Sequence, residues 1–189
     1  MAQRSRLDIR PLTRDELPAP AARLARWLIG KTLVRDHRQG RMSGRIVETE
    51  AYVVGDASGH AFRGKTARNA SLFLERGHAY VYFIYGCWFS LNVSAGRSGT
   101  GTGVLLRALE PLEGVALMRR RRPRARRDED LTNGPAKLCA ALGIGPEHNG
   151  RGLQRPPLVL RAGTPVADAA VVVTPRIGIT RAKIGRAHV

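Results

Sequence analysis

Every tyrosine and every phenylalanine of this chain falls between Tyr52 and Phe89, with Trp88 among them; Trp27 is the one such ring elsewhere. The densest part is two β-rich runs, His78–Ile84 and Trp88–Ser94, joined across Tyr85-Gly86-Cys87. So short a connection between such runs predicts a β-hairpin, with Gly86 free to take a positive φ at the turn. Side chains alternate along a strand, so Tyr80 and Tyr82 share a face while Tyr85 is displayed at the tip. Taken alone, such a run is a half-buried sheet face as readily as the wall of a pocket. An exposed ring at a turn calls for a reason more than a buried one does.

Upstream, Pro18–Ile29 carries Leu24, Trp27 and Leu28 at helical spacing and is followed by Gly30 in a C′ position. Lys31–Arg35 and Gly44–Tyr52 read as strands, with a turn near Arg38–Gly40. The second places Glu48, Glu50 and Tyr52 on one face. Val53–Ala70 is a loop long enough to suggest function. Gly103–Leu109 reads as a central strand whose one polar residue is Arg107, and Pro111–Arg122 as a helix. Asn133 is placed as the N-cap of a helix from about Gly134 to Leu142, ended by Gly143. Short strands are expected around Leu158–Leu160 and Ala170–Val173, and residues 1–17 are expected to be loosely ordered. The expected fold is therefore α+β: a single domain, 1–189, with a curved, mainly antiparallel sheet, peripheral helices and a protruding hairpin.

The net charge of +17 predicts attraction to a polyanion, nucleic acid above all. Seven arginines between Arg119 and Arg127 read as a solvated loop or a phosphate-binding arm. Such a run positions a protein on nucleic acid without specifying a base. Cys87 and Cys139 make no CxxC pair, and the five histidines show no metal-ligand spacing, so neither metal nor cofactor is expected. No segment approaches a signal peptide or a membrane span, which points to the cytoplasm. A strand glutamate is most often solvated. Here Ile46, Val47 and Ala51 flank the pair, so one carboxylate can sit in a partly dry cleft and deprotonate water as a general base.

RIVETEAY, then His60, Arg68-Asn69, YVYFIYG, LNVS, VLLRALEPLEG, GPAKLCAALGI and PRIGI stand in unbroken order. Together they resemble the alkylpurine (3-methyladenine) DNA glycosylase family of the mammalian type. The resemblance implies a monofunctional base-excision repair enzyme that flips alkylated or deaminated purines from double-stranded DNA and releases them hydrolytically. It implies Glu50 as the general base, Arg107 as a holder of the attacking water, and the Ile177 carbonyl as a further water ligand. Tyr52, His60 and Tyr82 would wall the extruded base, with Tyr80 nearby. Asn92 would crowd the amino group of normal guanine, and Tyr85 would intercalate from the minor groove. The enzyme would be monomeric, cofactor-free and associated with the nucleoid, and the scarcity of lysine favours water over an amine nucleophile.

The chain departs from that pattern in three places. The loop from Glu50 to His60 is one residue shorter, and Cys87-Trp88 follows the hairpin glycine. After PRIGI a PWRF-like segment is expected, whereas residues 184–189, IGRAHV, read as a non-native tail. Two other readings stay open on sequence alone. One is a non-catalytic nucleic-acid binder that stacks bases on its tyrosines. The other is a basic ribosome-associated protein whose rings are core. Glu50 separates them, because a binder gains nothing from a carboxylate facing a polyanion.

Overall fold

The computed structural model describes residues 10–176 and the short strand Arg186–His188. Its strands are β1 (Thr32–His37), β2 (Gly40–Tyr52), β3 (Ala79–Ile84), β4 (Trp88–Ser94), β5 (Gly103–Glu113), β6 (Leu158–Arg161), β7 (Val173–Pro175) and β8 (Arg186–His188). The helices are α1 (Ala21–Leu28), α2 (Val115–Arg121) and α3 (Pro135–Leu142). Six strands lie in the order β3-β4-β5-β2-β1-β6, every pairing antiparallel, with β8 against β2 and β7 against β8. This is the expected α+β sheet with peripheral helices and a projecting β3–β4 hairpin.

Helix α1 forms because Ala21, Leu24, Ala25 and Leu28 recur on one face, and all four are buried against the sheet. Each of the two leucines stabilises the fold by about 1.5–3 kcal/mol on burial. Arg26 on the outer face pairs with Asp168. Helix α3 covers β4 and β5 with Leu138, Cys139, Ala141 and Leu142, and Gly143 ends it in the left-handed region. These residues join Leu33, Met42, Ile46, Leu91, Leu106 and Leu160 in one core.

The structure corrects several local expectations. Strand β5 runs on to Glu113, so the helix expected over 111–122 starts at Val115. The strand persists because Ser43 and Gly44 of β2 pair with Glu113 and Pro111. Gly114 then turns the chain at φ 74°, where a Cβ would meet the Arg41 carbonyl oxygen at 2.4 Å. Asn133 is not a cap: its side chain bonds Asp130 and Lys137, and Gly134 occupies the N-cap position. Residues 10–17 are tied down, with Leu12 and Leu17 buried and the Leu12 amide donating to Leu160. The strand expected at Ala170–Val173 is shifted to β7.

The arginine run is largely structural. Arg119 pairs with Asp128 and Arg127 with Asp130, while Arg122 donates to the carbonyl oxygens of Asp130 and Leu131. Arg121 reaches the Met42 sulfur and the Ala141 carbonyl. Arg120, Arg124 and Arg126 are left on the surface.

Candidate active site

The floor of the site is the β2–β5 ladder, which is irregular where it matters. Ile46 pairs with Leu109, Glu48 with Ala108 and Thr49 with Leu106, so Val47 and Arg107 have no partner in the register. Bulges of this kind turn side chains out of the regular alternation. The guanidinium of Arg107 bridges both carboxylates of β2, with Nε 2.7 Å from Glu48 Oε1 and Nη1 3.2 Å from Glu50 Oε2. Tyr52, two residues on, donates its hydroxyl to Glu50 Oε1.

Glu50 is only 1% exposed, and its electrostatics are finely opposed. Burial pushes its carboxyl up; the Tyr52 hydrogen bond and the charges of Arg107 and Arg176 pull it back without cancelling the rise. Arg107 is also pulled down by burial, but the Glu48 hydrogen bond and its charge raise it overall, so it stays cationic. The Tyr52 phenol is driven above its ordinary range by burial and by the Glu50 charge, which keeps it a proton donor. Each Glu50 oxygen keeps acceptor capacity beyond the bond described.

Beside this floor lies a cavity of about 140 Å³, close to the roughly 150 Å³ that admits one small aromatic molecule. Tyr52, His60, Tyr80, Tyr82 and Asn92 line it, and Val53, Val54 and Phe62 add apolar surface. Tyr80 and Tyr82 stack at 5.2 Å between centroids, while His60 packs edge-on to Tyr82 at 4.4 Å. The His60 ring shares a 2.9 Å hydrogen bond with the Tyr80 hydroxyl. Burial lowers the His60 pKa and raises that of Tyr80 to about 12, so both are neutral at pH 7. Among the described residues no ring contact joins Tyr52 to these three. Asn92 is buried, and its amide nitrogen has no hydrogen-bond partner. A buried donor in that state is free to pair with a group bound in the cavity.

The loop that closes the cavity is pinned by Asn69. Its amide accepts from the Thr66 N–H at 2.7 Å and donates to the carbonyls of His60 and Gly64 at 2.8 and 3.0 Å. A second anchor is the ion pair between Asp56 and Arg176, which sequence reasoning missed. A lone aspartate in a loop carries no signal; Arg176 stands in the PRIGI motif but draws no attention there. Ile177, the expected water ligand, lies outside the described residues.

The hairpin tip is separate from this cavity. Tyr85 is 86% exposed and takes φ 53°, followed by Gly86 at φ 70°. Two successive positive φ values suit a tight hairpin turn, but only the glycine adopts one without strain. Trp88 and Phe83 are exposed behind the tip, and Arg68 braces it through the Phe83 carbonyl at 3.0 Å.

The structure thus brings Glu50, Arg107 and Tyr52 into one hydrogen-bonded cluster. It gathers Tyr52, His60, Tyr82 and Asn92 around one cavity, and it places Tyr85 apart from both. No group of three or more metal-ligating side chains occurs among the described residues, and none of their helices is long and apolar enough to cross a membrane.

The family model for methylpurine-DNA glycosylase matches residues 15–187. A Mesorhizobium japonicum protein is 55% identical over 171 residues, covering 90% of this chain and 82% of its own length. A Paraburkholderia phytofirmans protein is 47% identical over 179 residues, covering 95% of this chain and 84% of its own. One from Methanocella arvoryzae is 44% identical over 170 residues, covering 89% and 84%. All three bear the name "Putative 3-methyladenine DNA glycosylase". A match of this extent and identity is decisive, and the chain belongs to the methylpurine-DNA glycosylase family.

Proposed function

We propose that this chain is a monofunctional DNA glycosylase of base-excision repair. It hydrolyses the N-glycosidic bond of alkylated or deaminated purines in duplex DNA and leaves an abasic site. The observation that carries the reading is a buried glutamate, Glu50, joined through the Tyr52 hydroxyl to a cavity walled by rings.

A base in a duplex must leave the stack before an enzyme can reach it, at a cost of a few kcal/mol that is least for a damaged base. Tyr85 is the wedge: an exposed ring at a braced turn fills the gap, as apolar side chains do in minor-groove binders. The flipped purine lies between Tyr52 on one side and the His60–Tyr82 pair on the other. Stacking on neutral rings suits a purine made cationic by alkylation, each cation–π contact adding about 0.5–2 kcal/mol. Asn92 offers its buried amide to the base edge.

Glu50 takes the proton of a water held against it, with Arg107 keeping the carboxylate ionised and oriented. A cationic purine leaves without much help from an acid, so one carboxylate suffices where ordinary glycosidases use two. Strand cutting through a Schiff base would need an amine at the site. Lys31 sits over Trp27, Lys137 bonds Asn133, and neither these nor Lys65 lines the cavity. The non-catalytic binder is the weaker reading, since Glu50 is buried beside Arg107 and gives a polyanion nothing to bind.

The enzyme works as a single-domain monomer on nucleoid DNA in the cytoplasm, drawn there by its charge of +17. The test is a duplex carrying one hypoxanthine or 3-methyladenine, incubated with the protein and developed with alkali. The expected result is a break at the lesion only after alkali. A break without alkali would refute monofunctional chemistry, and no break above the undamaged control would refute the enzyme.

A further inference from the structure

Asp56 and Arg176 form an ion pair whose side chains are only 3% and 2% exposed. The contact is forked: Arg176 Nη1 meets Asp56 Oδ2, and Nη2 lies 3.0 Å from Oδ1. The same Nη2 reaches Ser58 Oγ at 2.9 Å, and Nη1 reaches the Ala51 carbonyl at 3.4 Å. The guanidinium also lies over the Tyr52 ring, 4.9 Å from its centroid. Asp56 in turn accepts from the Ser58 amide and hydroxyl at 3.1 and 2.6 Å. One cation therefore touches the end of β2, the loop that closes the cavity, and the face of the ring that bonds Glu50.

Burying a charge pair is costly and adds little to stability over an apolar pair of the same shape. A forked arginine does fix geometry, because its planar donors match a carboxylate in one orientation. We propose that Arg176 and Asp56 are positioning residues for base excision, holding Tyr52 where it both walls the cavity and hydrogen-bonds Glu50. The inference rests on the glycosylase reading above. Neither residue lines the cavity; both act through Tyr52, and Arg176 also through its charge on Glu50.

Among the described residues, the charged and titratable groups facing Glu50 are Tyr52, Tyr82, Arg107, Arg176 and Glu48. Arg176 favours the ionised carboxylate, so its removal must move the acid limb of the reaction to higher pH. Asp56 has the opposite charge, so its removal favours the carboxylate directly while loosening the Tyr52 bond that also favours it, and the limb must move less than on loss of Arg176.

The experiment is single-turnover release of hypoxanthine from duplex DNA across pH 5–9 by wild type, Arg176→Met, Arg176→Lys and Asp56→Asn. Arg176→Met is expected to be slower by about 10²-fold, the scale of a small misplacement of reacting groups, with its acid limb moved up. Asp56→Asn should be slower with a smaller movement of the limb than Arg176→Met. Arg176→Lys should keep the wild-type limb and recover part of the rate. Rates and limbs like wild type in Arg176→Met and Asp56→Asn would overturn the proposal. So would equal losses in Arg176→Met and Arg176→Lys with unmoved limbs, which mark a merely structural pair. If Arg176→Met does not fold, Asp56→Asn decides: a rate below those of wild type and Arg176→Lys is expected, and a wild-type rate in the folded variant would overturn the proposal. Inactivity of the wild type would refute the glycosylase reading instead.

Discussion

The β2–β5 floor and the β3–β4 tip treat side chains in opposite ways. On the floor, Glu50 is 1% exposed and bonded to both Tyr52 and Arg107. At the tip, Tyr85 is 86% exposed on a backbone at φ 53°. The floor spends burial to hold charge in place, and the tip spends backbone strain to display a ring. Groups that perform chemistry need preorganisation in a dry setting; a group that enters a duplex must stay in water until it meets one. The contrast predicts that floor variants fail in the chemical step, whereas tip variants fail in reaching it.

The largest effect is expected from Arg107→Met. It strands two acidic groups, and losing one partner of a buried pair typically costs about 3–5 kcal/mol. A fall in the urea midpoint together with loss of excision at pH 7 is the expected outcome. Unchanged excision would erase the distinction between the two regions. Next comes Tyr85→Gly, which should relieve the turn and raise stability by about 1 kcal/mol. Excision should fall at the same time, up to about 10²-fold for a paired lesion and less for a mismatched one, given the few kcal/mol of unstacking. A variant that is more stable and equally active would remove the wedge.

Tyr52→Phe is a smaller perturbation of the floor. It deletes a hydrogen bond to a charged group, worth about 1.5–3 kcal/mol. Because that bond favours the carboxylate, its loss raises Glu50 further. The rate should drop and its acid limb should move to higher pH, and a downward move would contradict the arrangement. In the wild type that limb is expected above the ordinary glutamate value of about 4.3, because burial raises Glu50.

The smallest effect concerns Asp56. Burial raises its carboxyl, but hydrogen bonds from Arg176 and Ser58 outweigh this and leave it below its ordinary value. A depressed folded-state pKa gives stability that is present above the unfolded value, about 3.9, and lost as pH falls through the folded one. Wild type should lose stability below about pH 4 more steeply than Asp56→Asn in acid denaturation curves. Parallel curves would count against the pair.

How much of this was legible in the sequence follows from how local each feature is. The hairpin was readable because Tyr85-Gly86-Cys87 sits between two β-rich runs. Glu50, Tyr52 and Arg107 were readable because strand parity and an odd polar residue mark them, and the family resemblance gave each a role. The double bulge that aims Arg107 was not readable, since Val47 and Arg107 look regular in their own strands. The strand-to-helix boundary was misjudged because Pro111 suggested a helix start, whereas pairing with Gly44 extends the strand. The arginine run looked like a DNA arm, yet Asp128 and Asp130 neutralise part of it locally. Asp56 and Arg176 meet across 120 residues, a pairing no local pattern reports.

On the proposed reading a buried carboxylate, Glu50, performs the hydrolysis while the rings and the tip hold the DNA. Base release and duplex affinity, measured on one preparation of Glu50→Gln with a hypoxanthine duplex, test it most directly. Affinity should stay within a few-fold of wild type while single-turnover release falls by about 10²–10⁴-fold, the usual worth of a general base. Release at the wild-type rate from a folded variant would contradict it.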